Sequence, residues 1–116
     1  IMFSPNKTVI SIDLKGMIAS GSRAPLNMDN LNGLFTKVMK IKFDALSIVI
    51  NSPGGSPVQS SLIAQKIREI SDKKKVQCYC FIEDVAASGG YWLACAADEL
   101  YADVNSIVGS IGVISG

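Results

Sequence analysis

Two apolar runs, Ala45–Ile50 and Val76–Ile82, are each followed by a glycine-bearing turn and then by the start of a helix. This arrangement constrains the fold more than any other feature. Short, nearly continuous apolar runs suit strands covered on both faces, as in parallel sheets. The first ends in Asn51-Ser52-Pro53-Gly54-Gly55, and Ser56-Pro57-Val58-Gln59 then reads as a capping box with proline at its first helical position. The second leads into Asp84-Val85-Ala86-Ala87-Ser88-Gly89-Gly90-Tyr91-Trp92, one serine among small residues at a strand-to-helix junction. Such a spacing permits a tight turn and leaves the serine hydroxyl projecting from a sheet end, a loosened form of a nucleophile elbow. Gly89 would place its N–H beside any oxyanion formed there. Serine is also a common N-cap, and the nine residues alone leave both readings open.

The remaining pattern supplies more units of the same kind. Thr8–Leu14 alternates as a strand, and Met17-Ile18 can resume it after Lys15-Gly16. Residues 19–27 are small and polar, contain Pro25, and read as a loop. Asn27 can cap a helix to about Lys42, with Leu31, Leu34, Phe35, Val38 and Met39 on its apolar stripe. Lys37, Lys40 and Lys42 suit its solvated side and last turn. The helix after Ser56 is expected to turn Val58, Leu62, Ile63, Ile67 and Ile70 to the core. Asp72-Lys73-Lys74-Lys75 is a charged connection. Gly90–Ala97 is apolar enough for a buried helix, and Leu100-Tyr101-Ala102 for a short strand. Strand, helix, strand, helix in alternation predicts a mostly parallel α/β sheet with right-handed crossovers. Gly54-Gly55 and Ser88 then fall past the carboxyl ends of successive strands, the edge where such sheets hold ligands.

Composition sets outer limits. The 116 residues suffice for one domain, taken as residues 1–116, with 48% hydrophobic and 18% charged residues. A net charge of +1 offers no electrostatic case for nucleic acid. With no histidine and no zinc or redox cysteine spacing, neither a metal nor a cofactor is expected. Cys78 and Cys80 lie on one face of a strand and are poor disulfide partners, so with Cys95 all three read as small buried hydrophobes. No apolar run approaches the roughly 18 residues of a membrane span. The abrupt start at Ile1 and end at Gly116 suggest a core fragment of a longer chain.

The motifs Asn51-Ser52-Pro53-Gly54-Gly55, Ala86-Ala87-Ser88-Gly89-Gly90-Tyr91-Trp92, Ala97-Asp98-Glu99 and Asn105–Val113, in this order, resemble the signal peptide peptidase A family of bacterial serine peptidases, the S49 group. The resemblance runs from about Thr8 to Val113. It implies a ClpP/crotonase-like α/β fold, with repeated ββα-type units and a mostly parallel sheet flanked by helices. It also implies a Ser–Lys dyad, consistent with the lack of histidine. Ser88 would be the nucleophile, Gly54 or Gly55 with Gly89 the oxyanion-hole donors, and Ser110 a serine that supports the lysine base.

No lysine of this chain matches the family's position, so the base is expected outside it and the isolated fragment is expected to be inactive. The family cleaves remnant signal peptides, with small or apolar residues near the scissile bond. It acts at the bacterial inner membrane on the extracytoplasmic side and assembles into homo-oligomers. Membrane association would come through segments not present here. Two alternatives are a non-catalytic scaffold repeat of a tandem S49 protein and, less favoured, a crotonase-type acyl-CoA enzyme. The latter needs carboxylates and a basic CoA-binding surface that the sequence does not display.

Overall fold

The computed structural model describes residues 6–109. Five strands form one sheet: β1 (Val9–Lys15), β2 (Ala45–Ser52), β3 (Gln77–Ala87), β4 (Glu99–Ala102) and β5 (Ile107–Gly109). Three helices connect them: α1 (Met28–Met39), α2 (Pro57–Lys74) and α3 (Gly89–Ala94). Every pairing is parallel, and β1 to β4 lie side by side in chain order. β5 continues along the edge of β3 that β4 occupies further back, pairing Val85–Ala87 with Ile107–Gly109.

Sheet order explains the layering. Crossovers of one hand that always step in the same direction leave their helices on the same side. α2 packs against both α1 and α3, so the helices form a single layer. Beneath it lie Ile12 and Leu14 of β1, Leu46, Ile48 and Ile50 of β2, and Cys78, Cys80 and Ile82 of β3, all buried. Burial of each large aliphatic side chain stabilises the fold by about 1.5–3 kcal/mol.

This corrects the expectation that β2 is covered on both faces. The opposite face leaves Val9, Phe81 and Tyr101 exposed, the last two stacked with ring centroids 5.4 Å apart. The apolar run of β2 misled because Ser47 and Val49, which point away from the helices, are themselves only half-buried.

The helices follow their capping residues. Asn27 Oδ1 accepts the Asn30 N–H at 2.8 Å, and Ser56 Oγ accepts that of Gln59 at 3.2 Å. α2 ends on Lys75 in the left-handed region, φ 57°. Its inward face differs from expectation: Ile63, Ala64, Ile67 and Ile70 are buried with Ser60 and Ser71, whereas Val58 and Leu62 are exposed. Two serines thus take inward positions of the first and last turns. Ser60 Oγ donates to the Ser56 carbonyl and Ser71 Oγ to the Val76 carbonyl, so neither is left unpaired. Leu34 of α1 is likewise exposed.

α3 is shorter than the expected Gly90–Ala97 helix and only half inward. Leu93 and Ala94 are buried, while Tyr91 and Trp92 are exposed. Cys95, expected inside with the other cysteines, is exposed as well, because it caps this short helix on its outer side. Beyond it Asp98 ties the chain back to the sheet. Its carboxylate accepts the Cys78 N–H at 2.7 Å and pairs with Arg68 at 3.0 Å.

Candidate active site

β3 does not end at Ile82. It runs on to Ala87, because β5 supplies a second partner for its last residues. Between the two halves, Ile50 to Ser52 of β2 spans Ile82 to Ala86 of β3, so β3 bulges. The Asn51 side chain fills the bulge, accepting the Val85 N–H at 3.2 Å and donating to Asp84 at 3.3 Å. The extra residues carry the end of β3 around toward the turn that follows β2.

Ser88 stands at that end with φ 53° and ψ −118°, a conformation that costs a non-glycine residue on the order of 1–3 kcal/mol. Its side chain makes no capping hydrogen bond to α3. The N-cap reading is therefore excluded, since a capping serine has extended backbone and a bonded hydroxyl. The hydroxyl is instead presented at the surface, and the Ser88 N–H is held by the Gly109 carbonyl at 2.9 Å.

Gly54 and Gly55 meet this serine from the neighbouring strand. Gly54 has φ +102°, and a Cβ there would lie 2.9 Å from both Ser88 Cβ and Gly89 N. Gly55 has φ +143°, and a Cβ there would collide with the Ile18 carbonyl at 1.9 Å. Glycine is required at both places. Ile18 binds the turn from the far side, donating to the Gly54 carbonyl at 2.9 Å and accepting the Ser56 N–H at 2.7 Å. The loop that carries Ile18 is thus a buttress of the site.

The choice between Gly54 and Gly55 as a free donor is decided by Ser52. The Gly54 N–H is taken by Ser52 Oγ at 3.1 Å. Among the described residues the N–H groups of Gly55 and Gly89 have no partner. Both glycines line one pocket with Ser88, of about 400 Å³, whose other walls are Pro57, Tyr91, Trp92 and Cys95. Among the described residues no charged side chain lines it. The Tyr91 phenol bonds to Cys95, which raises its pKa above the ordinary value.

The lysines of the chain are occupied elsewhere or lie outside the pocket. Lys15 pairs with Glu83 at 3.2 Å, and that contact raises its pKa, the wrong direction for a base at neutral pH. Lys73 pairs with Glu69 at 2.8 Å, and Lys74 donates to the Ile41 carbonyl at 2.8 Å. Ser110 lies outside the described residues, so its expected part has no structural counterpart here. Among the described residues no cluster of metal-ligating side chains occurs. Ser52 and Asn51 escaped the sequence reading as functional residues, although both stand inside a motif it singled out.

Residues 68–116 match peptidase family S49. Over those residues the chain is similar to that family. A putative signal peptide peptidase SppA of Enterococcus faecium is 31% identical over 116 residues, covering 94% of this chain and 33% of that protein. A Brucella melitensis protein named as a Na(+)/H(+) antiporter NhaA is 46% identical over 108 residues, covering 90% of this chain but 15% of its own length. The chain thus spans a third or less of the length of both relatives. Among its described residues no helix is long and apolar enough to cross a membrane. A solved structure, a mutant of the 1510-N membrane-bound stomatin-specific protease in complex with a substrate peptide, superposes with a TM-score of 0.66 at 20% identity, over 89% of this chain and 44% of that one. The fold is the ClpP/crotonase-like α/β fold of such proteases.

Proposed function

We propose that this S49 chain is the nucleophile-bearing part of a serine endopeptidase that acts through a Ser–Lys dyad. Ser88 Oγ attacks the scissile carbonyl carbon of a peptide, and its proton passes to a lysine amine. The oxyanion is received by the N–H groups of Gly55 and Gly89. The lysine then protonates the leaving amine, and water releases the acyl group from Ser88. The base comes from residues outside this chain, because none of its own lysines lines the pocket. Ser110 is assigned to orient that base.

The observation that carries this reading is the backbone of Ser88. A strained serine whose hydroxyl, like two nearby glycine N–H groups, has no partner among the described residues is costly as a structural element and useful as a nucleophile. A purely structural repeat has no use for it, and an acyl-CoA enzyme has no use for a serine beside its own oxyanion donors. The apolar pocket beside Ser88 suits a small or apolar substrate side chain. By analogy with signal peptide peptidases, the substrates are remnant signal peptides at the bacterial inner membrane, cleaved on the extracytoplasmic side. Anchoring then falls to other segments of the protein, and assembly is homo-oligomeric.

The test is labelling with a peptide phosphonate. The complete protein should label, its Ser88→Ala variant should not, and this chain alone should not. Labelling of the isolated chain at Ser88 would place the base within it. Labelling of the Ser88→Ala protein would remove Ser88 as the nucleophile.

A further inference from the structure

We infer that Ser52 is a positioning residue for the oxyanion-binding turn, an assignment that rests on the proposed role of Ser88 and the two glycine N–H groups. Ser52 is the last residue of β2 and is 0% exposed. A serine at an inward strand end gains nothing from burial, so its hydroxyl requires a partner. The partner is the Gly54 N–H, accepted at 3.1 Å.

That bond has a directional consequence. Gly54 has three conceivable uses for its amide: solvent, an oxyanion, or its own strand. Ser52 removes it from the first two, and the Gly54 carbonyl is held at the same time by the Ile18 N–H. The Gly54 carbonyl and the Gly55 N–H share one trans peptide group, so the bond from Ile18 turns the Gly55 N–H the opposite way, and that amide is the one left for a ligand.

Ser52 also contacts the other arm of the site. It is paired in register with Ala86, two residues before Ser88. A Cβ at Gly90 would sit 2.5 Å from the Ser52 carbonyl oxygen and 3.2 Å from its Cβ. The turn that bears Ser88 therefore rests on the residue that orients the Gly55 turn. Ser52 thus adjoins both turns, through its hydroxyl on the Gly54 side and through its backbone and Cβ on the Gly90 side, and it is buried away from substrate.

Kinetics of the complete protein on a fluorogenic peptide with an apolar residue before the scissile bond separate this from a packing role. Ser52→Ala should lower kcat by about tenfold or more, since one lost oxyanion donor costs on the order of 10²–10³ and a misplaced one somewhat less. KM should stay within about twofold, because ground-state binding is unaffected. Ser52→Cys keeps the shape and a weaker acceptor, and should fall between the two in kcat. A peptide boronate, whose oxygen occupies the oxyanion position, should lose affinity in the same order. The inference is overturned if both variants retain the parent kcat, if the loss falls in KM, or if melting temperature drops with kcat unchanged. Should Ser52→Ala fail to fold, the Ser52→Cys kcat and boronate affinity decide alone. Full turnover by a Ser88→Ala control would overturn the nucleophile assignment, and this one with it. An inactive control beside an unimpaired Ser52→Ala would overturn this one only.

Discussion

The Ser88 N–H donates to the Gly109 carbonyl at 2.9 Å, so the turn that bears the hydroxyl hangs from the last described strand. Without β5, the residues Val85–Ala87 would lose the pairing that extends β3 past its bulge. The left-handed backbone of Ser88 is sustained by these surroundings, since nothing local to the residue favours it.

Replacing Ser88 by glycine should therefore uncouple stability from activity. The exposed hydroxyl has no partner to lose among the described residues, and glycine accepts φ 53° without steric cost. After the extra entropy of an unfolded glycine is subtracted, Ser88→Gly should be more stable by about 1 kcal/mol, while phosphonate labelling vanishes. Urea unfolding checks the first part. A glycine variant less stable than the parent would show that Ser88 is not strained.

Gly55→Ala should behave in the opposite way. The new methyl group would meet the Ile18 carbonyl at 1.9 Å on a backbone with φ +143°. The buttress must move, at a cost of at least about 2–3 kcal/mol. Gly33 is the internal control, being in α1 with open space around its Cα. Gly33→Ala should stabilise by about 0.5–1 kcal/mol through helix propensity. Equal urea midpoints for the two variants would contradict the contact with Ile18.

The thiols give a pH-dependent prediction. Burial pushes Cys78 up to about 11 and Cys80 up to about 12 from the ordinary value of 9.0. Native protein should therefore react with a disulfide reagent at Cys95 alone, and at all three cysteines once unfolded. Because the folded-state values are raised, the unfolded chain loses these protons first as pH rises. Their contribution to stability is complete below about pH 9 and is lost progressively toward pH 11–12. The urea midpoint should fall over that interval relative to a Cys78→Ala/Cys80→Ala protein. A difference between the two proteins that does not change with pH would refute the assignment.

Local signals were enough for much of the molecule. The capping residues Asn27 and Ser56, the parallel strands and the placing of Gly54, Gly55 and Ser88 at one sheet edge were all legible in the sequence. Each depends on residue types acting over a few positions: a side-chain oxygen at a cap, an apolar run, a glycine where a Cβ would clash. The similarity to the S49 family followed from the same motifs.

Other features were illegible because the residues concerned have two plausible faces. Val58 and Leu62 look like core residues until Ser60 takes the inward place through a bond to its own helix. Val49 looks buried until the helices are found to occupy one side only. The order of the strands decides that, and order is set by pairing between distant residues.

The sequence by itself determined the elements, their parallel arrangement and the identity of the serine and glycines that meet, because those depend on short-range sterics and hydrogen bonding. Only the tertiary structure decided which glycine amide is free and whether Ser88 is a cap or an exposed hydroxyl. Both outcomes depend on contacts made across the chain, from Ser52 of one strand end, Ile18 of a distant loop and Gly109 of the last strand. No local pattern specifies those distances.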